Sequence, residues 1–108
     1  MLLFPMLSFA GEITKVSVTD TQFRPIKVIT TEDDITRFKE IWSAKKTMGP
    51  MKVRWAYLLD ISTESSGDRW RYHPDGWAQV LSMKHAETYK VRSAQDLNQL
   101  LGVKATGR

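Results

Sequence analysis

The sequence predicts an α+β fold: an antiparallel sheet of about five or six strands with two helices packed on one face, in the order ββ-α-ββββ-α. Three observations lead there. Residues 53–83 alternate apolar and polar side chains through three runs separated by turn residues, the pattern of an antiparallel meander. Two other stretches repeat apolar residues at spacings of three and four, each behind a capping residue, the pattern of amphipathic helices. Short β-rich runs precede the first of these stretches and follow the meander.

The meander is the most informative part. In its first run, Val53, Trp55, Tyr57, Leu59 and Ile61 share one face, and in its second Trp70 and Tyr72 do. A polar turn over residues 62–67 sets Leu59 opposite Trp70 and Tyr57 opposite Tyr72. The same register sets Asp60 opposite Arg69 on the other face, an unlike-charge pair. Pro74 and Asp75-Gly76 specify a tight turn over residues 73–76, read here as setting Tyr72 opposite Trp77. Trp55, Tyr57, Trp70, Tyr72 and Trp77 are then all expected on the inner face, where burial of each ring contributes at most about 1.5–3 kcal/mol.

Ahead of the meander, residues 12–19 alternate, with Thr14, Val16 and Val18 on one side, and residues 25–30 form a second short run that Pro25 marks as a beginning or an edge. Thr31 caps a helix whose first turn holds Glu32, Asp33 and Asp34, where the helix dipole favours negative charge. Ile35, Phe38, Ile41 and Trp42 form its apolar stripe, Lys45 and Lys46 occupy its expected C-terminal end, and Gly49-Pro50 stops it. After the meander, residues 89–92 read as a short strand. Ser93, with Asp96 three positions on, caps a last helix bearing Leu97, Leu100 and Leu101, and Gly102 ends it.

Composition sets the limits. The 108 residues suffice for one domain, assigned to residues 11–103, with 104–108 as a flexible tail. Hydrophobic residues at 42% and charged residues at 26% argue for a globular chain and against disorder. Cysteine is absent, which excludes disulfides and thiolate metal sites. The net charge of +4 is mildly basic and lacks the dense Lys/Arg runs of a dedicated nucleic-acid binder. Residues 1–10, MLLFPMLSFA, are uncharged and too short to span a bilayer. They read as the remnant of a secretory signal with Ser8 and Ala10 before a cleavage point at Gly11, or else as an apolar tail packed on the domain. The first reading puts the protein in the periplasm or outside the cell; the second leaves it in the cytoplasm.

No motif carries recognisable chemistry. The sequence has no phosphate-binding glycine loop, no nucleophile elbow and no HExxH or HxH spacing, so no catalytic residue, metal ligand or cofactor is assigned. His73 and His85 are the only side chains that ordinarily titrate near neutrality, and His73 beside Asp75 would be the starting point of any hydrolytic site. The face opposite the rings is more informative: it gathers Lys52, Arg54, Arg69, Arg71, His73, Lys90 and Arg92, with Ala56, Leu58, Ala78 and Val80 between them. This face reads either as a solvated surface over which arginine stems lie, or as a contact surface for another protein or an anionic ligand. Arg54, Arg69, Arg71, His73 and Trp77 are the candidate contacts. The leading expectation is therefore a small exported, non-enzymatic binding protein, inhibitor- or immunity-like, that covers a partner with its arginine-rich face. Binding of single-stranded nucleic acid or another polyanion is the alternative, the nucleic acid disfavoured because the assigned parity separates the rings from the arginines.

Overall fold

The computed structural model describes residues 12–49, 51–81 and 86–104; the apolar run 1–10, His85 and the tail 105–108 lie outside them. Seven strands form one sheet: β1 (Ile13–Asp20), β2 (Pro25–Ile29), β3 (Lys46–Gly49), β4 (Tyr57–Thr63), β5 (Gly67–His73), β6 (Trp77–Val80) and β7 (Thr88–Lys90). All neighbours are antiparallel, and the spatial order is β2-β1-β4-β5-β6-β7-β3. Two helices, α1 (Glu32–Ser43) and α2 (Ala94–Leu101), complete the α+β fold.

The β4–β5 hairpin has the register read from the sequence: Tyr57 faces Tyr72, Leu59 faces Trp70 and Asp60 faces Arg69. On one side of the sheet, Val16, Val18, Ile29, Leu59, Ile61, Tyr72 and Ala78 form the core with Ile35, Phe38 and Trp42 of α1 and Leu97, Leu100 and Leu101 of α2. Phe38 and Trp42 stack at 5.2 Å, and Trp42 meets Trp70 edge-on at 5.0 Å, so the helical stripe and the sheet rings form one aromatic cluster. At its far end Tyr72 donates its hydroxyl to Asn98 Oδ1 at 2.6 Å, and Asn98 Nδ2 donates to the Pro74 carbonyl at 2.8 Å. This buried pair ties α2 to both β5 and the turn after it.

Three elements differ from the sequence reading. The first meander strand begins at Tyr57, not Val53, because β1 ends at Asp20, which pairs with Tyr57. Trp55 consequently lies ahead of the strand, half-buried, rather than in the ring-bearing core. The first helix ends at Ser43, and residues assigned to its last turn form β3 instead. Its apolar stripe stops at Trp42, since the next inward positions hold Lys45, Lys46 and Gly49, so nothing extends the buried face of the helix. Last, His73 rather than Tyr72 faces Trp77. Gly76, at φ +100°, adds one residue to the turn closed by its N–H to the His73 carbonyl at 2.8 Å, and this shifts every side chain of β6 to the opposite face.

The caps follow the sequence in part. Thr31 Oγ1 accepts from the Asp34 N–H at 3.3 Å. Ser93 occupies the N-cap of α2 but makes no side-chain bond: its ψ of 66° departs from the extended 149° that aims the Thr31 hydroxyl at its helix. Gly102 ends α2 in the left-handed region at φ +73°, and the Val103 N–H reaches back to the Asn98 carbonyl at 3.1 Å, closing the helix with Val103 buried.

Candidate functional site: the helix-free face of the sheet

Because both helices pack on the Leu59–Tyr72 side, the other face carries no helix. Strand alternation puts Arg69, Arg71 and His73 of β5 on it. The bulge at Gly76 adds Trp77, cross-strand from His73, and beyond Trp77 the pairing brings Lys90 of β7 and Lys46 of β3. Lys90 Nζ lies 5.4 Å from the centre of the Trp77 ring. Four of the five sequence candidates, Arg69, Arg71, His73 and Trp77, thus share one surface. Arg54 lies on the segment ahead of β4, exposed and outside any strand, and Lys52 does likewise. Ala78 and Val80, read as members of this face, belong to the helix side: Ala78 faces Tyr72 and is fully buried, and Val80 faces Trp70.

Arg69, Arg71 and His73 each have a lateral partner on this face. Arg69 makes a two-pronged ion pair with Asp60, at 2.7 Å from Nε and 3.4 Å from Nη2, and the Asp60 carboxylate holds its guanidinium above the usual arginine range. Arg71 Nη1 donates to Gln79 Oε1 at 2.9 Å, while Gln79 Nε2 donates to the Ala86 carbonyl at 3.0 Å. This bracket stands among Leu58, Ala86 and Thr88, a small buried group on the otherwise uncovered face. His73 Nδ1 accepts from the Asp75 N–H at 3.0 Å and lies 3.8 Å from Asp75 Oδ2. That nitrogen shapes its own turn, so a base role would fall to Nε2. Among the described residues no group of three or more His, Asp or Glu is placed to hold a metal ion.

Sequence reasoning missed Phe23. It stands in the β1–β2 turn with a left-handed backbone at φ 66°, its side chain exposed, and Arg69 Cζ lies 5.1 Å from its ring centre. Asp20 builds this turn by accepting from the N–H groups of Gln22 at 2.8 Å and Arg24 at 3.0 Å and from Arg24 Nε at 2.8 Å. The Arg24 backbone bond is the largest of the influences that lower the Asp20 carboxyl below its ordinary range. A bulky side chain in the left-handed region is uncommon and stores strain of order 1 kcal/mol or more. The sequence signal was a turn in which Asp20 could act as the local acceptor, with a ring two residues before Pro25.

On the covered face one charge is enclosed. Lys45 Nζ stands 4.5, 5.1 and 5.3 Å from the ring centres of Trp42, Trp70 and Tyr89 and donates to the Trp42 carbonyl at 3.3 Å. Burial lowers its ammonium from 10.5 to about 8, while the three ring faces favour the cation and act against that shift. No helix among the described residues is long and apolar enough to cross a membrane. No protein-family model matches the chain, and no curated protein or solved structure matches it either.

Proposed function

We propose that this is a small non-enzymatic binding protein that takes an anionic protein partner on the helix-free face of its sheet, in the exported compartment that residues 1–10 suggest. The observation that carries this reading is the row of Arg71, His73, Trp77, Lys90 and Lys46 on a surface neither helix occupies. Arg71 offers planar donors and Trp77 an apolar ring with one polar edge, two side chains enriched at protein contacts. Arg71→Glu, Lys90→Glu and Lys46→Glu combined should reduce partner capture from the native source at least tenfold. The variant should melt within about 3 °C of wild type, since lateral surface pairs contribute little. Undiminished capture by a folded triple variant refutes the reading.

The parity of Trp77 favours a second reading, single-stranded nucleic acid. An open sheet with a ring among cations is the arrangement on which bases stack. Titrating an oligothymidylate and following tryptophan emission separates the two readings. Nucleic-acid binding requires quenching that is lost on Trp77→Ala and an affinity falling steeply between about 50 and 200 mM salt. Absence of quenching at low salt leaves the protein partner.

A further inference from the structure

On the helix side, a groove of about 610 Å³ opens between the C-terminal half of α1 and the β4–β5 hairpin. Its volume falls within the range of small-molecule clefts, roughly 300–1,000 Å³. Trp42 and Trp70 form its walls, with Ile13 and Ile61 alongside. Its charged lining is mainly acidic. Glu12, Glu40 and Asp68 line the groove with Lys39, and Lys45 Nζ lies against its two tryptophan rings, three carboxylates to two ammonium groups in a chain of net charge +4. Lys39 is already engaged by Glu12 at 2.6 Å. The two tryptophans also hold a cation already, since both rings lie within 5.1 Å of Lys45 Nζ.

From this combination we infer that the groove binds a small cationic amphiphile, an amine or quaternary ammonium on an apolar body. The body would lie against Trp42, Trp70 and Ile61, and the cation would sit at the mouth near Glu40 and Asp68. An anionic amphiphile would bring like charge to those carboxylates, and a neutral one would gain only the apolar contact. The site is separate from the helix-free face, and its ligand has the opposite charge from the partner proposed there.

The test uses octyltrimethylammonium, octyl sulfate and octyl glucoside, each below its micelle-forming concentration and at low salt. Indole N–H resonances of the four tryptophans in the ¹⁵N-labelled protein report where each probe binds. Octyltrimethylammonium should shift Trp42 and Trp70 saturably, with Trp77 stationary, and should bind at least about fivefold more tightly than either other probe. Glu40→Gln with Asp68→Asn, both at exposed positions, should erase that preference while leaving octyl glucoside binding unchanged. Equal affinity of octyl sulfate for Trp42 and Trp70, shifts that fail to saturate, or an unchanged preference in the double variant would overturn the assignment.

Discussion

The two faces of this sheet solve the same problem of satisfying side chains in opposite ways. On the helix side, polar atoms are few and their partners are buried: Tyr72, Asn98 and the Pro74 carbonyl complete one another across three elements. On the other side, polar groups pair along the surface, Asp60 with Arg69 and Arg71 with Gln79, at positions half-buried or exposed. A bond between distant elements enclosed in apolar packing is expensive to lose, because the orphaned group cannot turn to water. A lateral pair on an open face is cheap to lose, because water replaces it. The fold therefore rests chiefly on one face, and the other adds only the small buried group at Leu58, Ala86 and Thr88.

The largest expected effect comes from breaking the buried side. Asn98→Ala strands the Tyr72 hydroxyl and the Pro74 carbonyl together and should cost roughly 2–4 kcal/mol in urea unfolding, since each unpaired group costs about 1–3. A loss below about 1 kcal/mol would mean that α2 is held by its leucines alone.

An intermediate effect should come from Lys45, the charge enclosed on the apolar side. Its folded pKa of about 8 lies below the ordinary 10.5, so between those values the unfolded chain binds more protons and rising pH favours folding. Tyr72 acts the other way: burial raises its phenol, and the stability that this contributes fades as pH climbs past its ordinary 10.0. From pH 8 to about 9.5 the wild type should therefore gain stability relative to Lys45→Met, on the order of 1 kcal/mol once its part exposure is allowed for. Parallel pH profiles for the two proteins would show that the ring faces cancel the effect of burial.

The smallest effect belongs to the open face. A double-mutant cycle on Arg69→Ala and Asp60→Ala should give a coupling of roughly 0.2–1 kcal/mol, reduced further by salt. A coupling of 2 kcal/mol or more, on the scale of a buried charge pair, would erase the contrast between the faces.

Much of this contrast was legible in the residues. Leu59 with Trp70 and Asp60 with Arg69 could be paired in advance because alternation leaves a two-sided strand a single compatible register. Thr31 and Gly102 marked helix ends because capping is local chemistry. Trp77 was placed on the wrong face because a single bulged glycine reverses parity, and whether Gly76 pairs or bulges is decided by how β6 meets β5. Trp77 is nonetheless among the candidate contacts, and the reversal is what seats its ring beside the cations. The strand at Lys46–Gly49 was invisible for a different reason: it has one ladder partner, β7, far along the chain, and a burial pattern with no fully buried residue. The sequence did contain the warning, in that the apolar stripe of α1 ends before Lys45. The clustering of Lys45 with Trp42, Trp70 and Tyr89 needs three elements at once, so no local pattern could announce it.

The route of α1 has a mechanical corollary. β2 and β3 form the two outer margins of the sheet, yet α1 alone separates them in sequence. Six strand spacings of about 4.8 Å make roughly 29 Å. The 12 residues of the helix supply about 18 Å of that, and only Thr30, Thr31, Ala44 and Lys45 join it to the two strands, so the strap has no spare loop at either end. So short a strap couples the margins. Peeling α1 away would slacken both borders together, and these rims already lie open, with Pro25 and Lys27 on one and Lys46 on the other as their guards against strand-to-strand association.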